Sequence, residues 1–255
     1  MNAFLDRLHG IDPVLMLAIR SSRTADVVRI AKSTGHQAVM VDLEHSTMPL
    51  DTAASLCATA GDLGLFPFVR VPEREYGAIG RLLDGGAQGI VAPRTETAVE
   101  AATVARACRF APRGQRSQLA TVPQFGMRPT PAARLNPVLD DRTIVQILVE
   151  TPAGVANADE IAAVDGVDML AFGANDFTAE LRVPGQYKDP RVIEAVAALA
   201  EACKRHDKLL MVGGISDPTL LLHVQALGAC PLRLTGTDTD MLYAGAAARA
   251  ERYLT

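Results

Sequence analysis

The stretch Val39-Met-Val-Asp-Leu-Glu-His-Ser-Thr-Met-Pro49 leaves an apolar run, enters two carboxylates and an imidazole, and is followed by helical periodicity over residues 52–63. An apolar run without polar alternation is buried on both faces, as strands are in a parallel sheet covered by helices. The same unit recurs along the chain. Apolar runs at residues 15–19, 38–41, 66–69, 89–92, 144–149, 169–172, 209–212 and 232–234 alternate with helical patterns such as 97–107, 191–205, 219–227 and 241–253. Eight strand–helix units predict an α/β chain closed into a (β/α)8 TIM barrel. The 255 residues match the length of one such barrel, about 250, so a single domain over 1–255 is expected. An open doubly wound sheet also alternates in this way, but no Gly-x-Gly-x-x-Gly turn follows the first strand.

With 49% hydrophobic and 21% charged residues the chain can fill a large core, and without Trp that core falls to Leu, Val, Ile and Ala. A formal charge of −4 and the lack of any Lys/Arg cluster interleaved with aromatics argue against a nucleic-acid partner. The first residues lack the pattern of a secretory signal, and no apolar stretch approaches the roughly 18 residues of a membrane span. A cytoplasmic protein without membrane contact is expected. Cys57, Cys108, Cys203 and Cys230 stand singly, without C-x-x-C spacing, and read as small core residues in a reducing compartment. The long interruption at 111–141, rich in Pro, Arg and Gly, reads as a loop excursion near the substrate or at a subunit contact.

In such barrels the active site lies at the C-terminal ends of the strands. The polar residues there are Asp42, Glu44 and His45 after the second strand, Arg70 after the third, Glu150 after the fifth and Asp176 beyond the sixth. Neighbouring strands lie about 4.8 Å apart, so Glu150 and Asp176 can meet over one small cation. Two hard oxygen ligands without His or Cys suit Mg²⁺ or Mn²⁺, completed by water and a bidentate 2-oxo acid. Such a cation would stabilise the enolate formed when a neighbouring C–H loses its proton. The competing structural reading makes Asp176 a turn cap and Glu150 the partner of a barrel arginine. His45 is the one histidine at a strand end and the candidate base. Asp42 and Glu44 could orient it or hold waters beside the cation, and Arg70 would place a permanent charge next to the enolate oxygen.

Other chemistries find less support. Lys32 and Lys204 fall in helical patterns and Lys208 precedes its strand, which argues against a Schiff base and leaves only Lys188 in a loop beyond a strand. No Gly-x-Ser-x-Gly elbow or strand-end cysteine offers a nucleophile. Gly213-Gly214 and Thr235-Gly-Thr-Asp-Thr239 could cradle a phosphate, although tight turns are the commoner explanation for such segments.

The motifs Val41-Asp-Leu-Glu-His45, Phe68-Val-Arg-Val-Pro72, Leu83-Asp-Gly-Gly-Ala-Gln-Gly-Ile-Val-Ala-Pro93, Arg113-Gly-Gln-Arg-Ser117, Val149-Glu-Thr-Pro152 and Gly173-Ala-Asn-Asp176 occur in order over nearly the whole chain. Together they resemble the HpcH/HpaI aldolases, the metal-dependent class II pyruvate aldolases. The resemblance implies reversible cleavage of a 4-hydroxy-2-oxo acid to pyruvate or hydroxypyruvate and an aldehyde, with Mg²⁺, Mn²⁺ or Co²⁺ on Glu150 and Asp176. By the same resemblance Arg70 steadies the enolate and His45 is the base. Asp84, contributed by an adjoining subunit, pairs with that histidine. The Gly173, Ala174 and Asn175 segment borders the substrate. A hexamer, built as a trimer of dimers with the last helix exchanged, is also implied.

Three positions depart from the family pattern. Leu148 replaces the usual Gln two residues before the metal glutamate, Ala174 replaces a proline, and no Trp follows the Arg-Gly segment. A citryl-CoA or malyl-CoA type lyase is the neighbouring alternative, disfavoured by the lack of a basic patch for a nucleotide. A non-catalytic barrel is the alternative from another class.

Overall fold

The structure is a computed structural model that describes residues 3–254. Eight strands form the frame: β1 (Val14–Ile19), β2 (Ala38–Asp42), β3 (Phe66–Arg70), β4 (Gly89–Ala92), β5 (Ile144–Val149), β6 (Met169–Gly173), β7 (Leu209–Gly213) and β8 (Leu232–Thr237). The helices are α1 (Ala3–Leu8), α2 (Asp26–Ser33), α3 (Leu50–Asp62), α4 (Ile79–Asp84), α5 (Ala98–Cys108), α6 (Ala132–Arg142), α7 (Pro152–Ala156), α8 (Ala158–Ala162), α9 (Ala174–Glu180), α10 (Pro190–Arg205), α11 (Pro218–Ala226) and α12 (Asp238–Leu254).

All paired strands are parallel, in the order β7-β6-β5-β4-β3-β2-β1-β8. The ring closes where Cys230 N, at the entry to β8, donates to Leu210 O of β7 at 2.7 Å. The expected barrel is therefore the observed one, and its strands are apolar throughout because each serves two cores. Inward residues such as Met16, Met40, Phe68, Val91, Leu148 and Met211 fill the lumen. Outward neighbours such as Leu17, Val39, Val69, Ile147 and Leu170 pack under the helices. Gly89 makes room for the lumen: a Cβ there would lie 2.2 Å from the Phe68 ring. Phe4 of α1 stacks on Phe66, with centroids 4.3 Å apart, and so covers the lower end.

Local signals fix the helix starts. Thr97 and Glu100 form a reciprocal capping box at α5. Asp217 caps α11 by accepting from Thr219 N and Leu220 N. The four cysteines are free and buried, which bears out their reading as core residues. Burial pushes the Cys57 and Cys108 thiols up to about 12.

The segment 111–141 corrects the sequence reading. It contains a short 3-10 turn, Pro123–Phe125, and α6, which buries Leu135 and Leu139 against Phe110 and Val122. Pro137 lies inside α6, where it removes one helical hydrogen bond and masks the helix in sequence. Buried Arg109 fastens this excursion by donating to Asp140 O, Thr143 O, Gly166 O and Asp168. None of the segment lines the cavity at the barrel mouth, so its expected place near the substrate is not seen within one chain.

Candidate active site

The C-terminal strand ends surround a cavity of about 340 Å³, small for a ligand site. Its charged residues are Arg20, Arg70, Glu150, Asp176 and Asp240, and its floor is Met16, Met40, Leu148, Met211 and Leu234. Gly173, Ala174 and Asn175 also line it, as the motif reading expects.

Glu150 follows β5 and is buried, with Oε1 accepting from Arg94 N at 2.9 Å. That N–H is aimed by a left-handed backbone, since Arg94 has φ 46°, a conformation costly for a residue with a Cβ. Burial pushes the Glu150 carboxyl up to about 7, and the like charges of Asp176 and Glu44 add to the rise. The Arg94 hydrogen bond and Arg70 act against it. Asp176 sits in the first turn of α9, where a carboxylate is favoured by the helix N-terminus, and it is exposed toward the cavity. Glycine at 173 leaves space for the glutamate: a Cβ there would lie 2.6 Å from Glu150 Oε2.

Carboxylates that repel one another across a prepared space fit a hard divalent cation, whose charge would relieve the repulsion. Among the described residues no group of three or more His, Cys, Asp or Glu forms a metal cage. The fit is thus to two carboxylates, with water or substrate oxygens supplying the other ligands.

Arg70 leaves β3 and is gripped by Asp42, Nε to Oδ1 at 3.0 Å and Nη2 to Oδ2 at 2.6 Å. Its Nη1 makes an ion pair with Glu44 Oε2 at 2.9 Å, without hydrogen-bond alignment, so that buried oxygen has no aligned donor. Burial works against the charged form of Arg70, but the Asp42 bonds outweigh it and hold the guanidinium above its usual range. Burial would likewise raise Asp42, yet Arg70 and Arg20 bring it down to about 2. Burial raises the Glu44 carboxyl, with Asp42 and Asp176 adding to the rise and Arg70 and His45 opposing it.

Asp42 therefore serves the two arginines. Its oxygens also accept from Glu44 N and His45 N, which leaves little capacity to hold waters beside a cation as the sequence suggested. The turn it organises carries His45 three residues past the end of β2, to the outer rim of the mouth. There the ring is half exposed, outside the cavity lining, and 3.7 Å from Glu44. Asp84 ends α4 and is held by Arg116 Nη2 at 2.8 Å. It borders a separate surface hollow with Arg81 and Arg106, apart from the cavity.

Two participants escaped the sequence reading. Arg20, directly after β1, obeys the same strand-end rule as Arg70 and was discoverable by it. Arg94 acts through its backbone N–H, which no residue pattern signals. The glycine turns after β7 and β8 line the cavity, but Thr237 N and Asp240 N are already bonded to Asp240 and Thr237, so at that turn these donors are not free for a phosphate.

A profile of the HpcH/HpaI aldolase/citrate lyase family matches residues 16–216. The 4-hydroxy-4-methyl-2-oxoglutarate aldolase of Hapsidospora irregularis is 37% identical over 201 residues, covering 78% of this chain and 74% of its own. The enzyme of the same name from Chaetomium globosum is 33% identical over 230 residues, covering 89% and 85%. The crystal structure of an HpcH/HpaI aldolase from Desulfitobacterium hafniense DCB-2 superposes with a TM-score of 0.90 at 24% identity, covering 99% of this chain and 97% of that one.

Proposed function

Because the chain belongs to the HpcH/HpaI aldolase/citrate lyase family, we propose that it is a class II aldolase that cleaves a 4-hydroxy-2-oxo acid reversibly to pyruvate or hydroxypyruvate and a carbonyl compound. The observation that carries this reading is Glu150 beside Asp176 at the β5 and β6 ends, raised to about 7 by burial and mutual repulsion, with Gly173 clearing the space. Aldolases of this class generally depend on a divalent metal, and Glu150 and Asp176 are the residues that would hold it. When bound, Mg²⁺, Mn²⁺ or Co²⁺ polarises the 2-oxo group and lowers the energy of negative charge on its oxygen.

This chain's own groups supply the rest. The guanidinium of Arg70, fixed by Asp42 and Glu44, faces the cavity as a permanent positive charge for the developing enolate. The His45 imidazole takes the proton of the C4 hydroxyl. The C3–C4 bond then breaks, its electron pair forming the enolate double bond as the ketone π pair moves to its oxygen, the carbonyl product leaves, and the enolate reverts to the ketone as C3 takes the proton held by the His45 imidazolium. Gly173, Ala174 and Asn175 border the bound oxo acid. Glu44 Oε2 lies 3.7 Å from His45 Nε2 and 2.9 Å from Arg70 Nη1, between the proton-moving and charge-stabilising groups.

Within one chain His45 meets Glu44 while Asp84 is held elsewhere by Arg116. By the family resemblance, and in keeping with this separation, we assign Asp84 to the His45 of a second copy, which it would orient and make more basic. The 17-residue α12 fits an exchanged helix, because none of its residues is buried and Leu242 and Tyr243 are 74% and 78% exposed. A hexamer, as a trimer of dimers, would cover that helix and complete the sites. Among the described residues no helix is long and apolar enough to cross a membrane. The four buried free thiols agree with a cytoplasmic location.

Exchange of the pyruvate C3 protons with deuterated water, followed by NMR with and without Mn²⁺, tests the reading. Metal-dependent exchange that Glu150→Ala and Asp176→Ala abolish supports it, and exchange that survives both substitutions rejects the site assignment.

A further inference from the structure

Asn175 lines the cavity beside Asp176, and its side chain is held from two sides. Its Oδ1 accepts from the Tyr187 hydroxyl at 2.6 Å. Gly214, in the turn after β7, packs against the same amide. Its φ of 84° lies in the left-handed region, and a Cβ there would come within 3.2 Å of both Asn175 Cγ and Oδ1. The glycine pair after β7 thus has a use that involves no phosphate.

Tyr187 reaches Asn175 because the segment 181–189 folds back on α9. The hub is Thr178, fully buried, whose hydroxyl donates to Asn175 O at 2.9 Å and accepts from Gly185 N at 3.1 Å. Val183 N donates to Thr178 O at 2.9 Å. The half-buried Tyr187 ring packs on the core between barrel and helices. Lys188, the lysine in a loop beyond a strand, makes an ion pair with Asp217 Oδ2 at 3.0 Å, and Asp217 caps α11. The segment is therefore tied to α9 at one end and to the turn before α11 at the other, with Tyr187 between the two ties.

The two ends of an asparagine amide have nearly the same shape and opposite hydrogen-bonding sense, so a fixed partner decides which end meets a ligand. Here the Tyr187 hydroxyl takes the carbonyl end, and Nδ2 donates to no acceptor among the described residues. Resting on the aldolase reading above, we infer that Tyr187 is a positioning residue: it holds Asn175 so that the side-chain N–H groups donate to a carboxylate oxygen of the bound oxo acid. Arg70 is already assigned to the ketone oxygen, where charge develops. The carboxylate of the same molecule keeps its charge throughout, so a donor to it strengthens binding without favouring the transition state.

The test is exchange of the pyruvate C3 protons at saturating Mn²⁺, with KM and kcat read separately. Tyr187→Phe keeps the packed ring and removes only the hydroxyl. It should raise the KM for pyruvate about 3- to 10-fold, the range for one neutral hydrogen bond, and change kcat less than about twofold. Asn175→Ala should act in the same direction, and the double variant should be no worse than Asn175→Ala alone, because the hydroxyl works only through the amide. Asn175→Asp keeps an oxygen for Tyr187 but turns a like charge toward the carboxylate, so its KM should exceed that of Asn175→Ala. An unchanged KM in Tyr187→Phe, a fall in kcat in its place, or additive losses in the double variant overturns the assignment, while wild-type exchange still stands for the aldolase reading. Absence of metal-dependent exchange in the wild type overturns both.

Discussion

Asp42 and Arg70 form a bidentate pair in which the aspartate is completely buried. The pair sets the direction of a guanidinium whose charge acts on the Glu150 carboxylate. Asp42→Asn keeps the shape but withdraws the charge that neutralises Arg70. Breaking one side of a buried ion pair costs about 3–5 kcal/mol. The variant is expected to lose roughly that much stability in urea unfolding and to show kcat lowered about 10²- to 10³-fold, as when a fixed electrostatic donor is disordered. A variant of wild-type stability would show that Arg70 finds its partner elsewhere.

Glu150 makes the metal-free protein sensitive to pH. Its folded carboxyl titrates near 7 against an ordinary 4.5, so the folded chain keeps a proton that the unfolded chain has released. Its contribution therefore destabilises the fold progressively as pH rises through that window and levels off above it, by about 3 kcal/mol in all. Glu150→Gln removes the titration. In EDTA this variant should be more stable than the wild type at pH 8 and similar to it at pH 4.5, and it should gain nothing from Mg²⁺ that stabilises the wild type. Urea unfolding at the two pH values, with and without Mg²⁺, measures the difference. Equal pH dependence in the two proteins would deny Glu150 its raised value.

Gly173 is a steric requirement and not a conformational one. Its φ of −94° and ψ of 90° are open to residues with side chains, but a Cβ would come within 2.6 Å of Glu150 Oε2 and 2.9 Å of Glu150 Cβ. Gly173→Ala should turn the glutamate away from Asp176. The expected result is Mn²⁺ affinity weakened about 10- to 100-fold, the range for displacing a ligand's support. Overpacking costs about 1–3 kcal/mol, so the barrel remains folded. Calorimetric Mn²⁺ titration beside a thermal melt separates the two effects, and unaltered affinity would move the cation site away from this glutamate.

The strands were legible because each is buried on two faces, and an uninterrupted apolar run such as Ile144–Val149 has few other uses. The end of β8 was cut short in sequence because Thr235, Gly236 and Thr237 line the mouth and carry no apolar signal. α6 was hidden by Pro137, which the packing of Leu135 and Leu139 overrides. Of the site residues, Glu150 and Arg70 could be found from strand ends alone. The roles of Asp42 and Arg94 could not, since one depends on which arginines fold around it and the other on a backbone N–H. Asp84 lies at the end of a helix on the barrel's side, and only the family motif drew attention to it.

That placement of Asp84 yields a prediction about assembly. If His45 of one copy works with Asp84 of another, His45→Gln and Asp84→Asn each disable every site of their own homo-oligomer while leaving the complementary residue intact. In a two-fold pair that mixes the variants, one site receives both substitutions and the other receives neither. Random reassortment puts about half the pairs in the mixed form and restores about a quarter of all sites. Unfolding and refolding the two variants together should thus recover about a quarter of the wild-type aldol cleavage rate, while each refolded alone stays inactive. Substituting Leu242 and Tyr243 of exposed α12 by Glu in both partners should lower the recovery together with the oligomer mass seen in light scattering. Recovery absent from a co-refolded mixture that light scattering shows to be fully oligomeric would place Asp84 outside the neighbouring site.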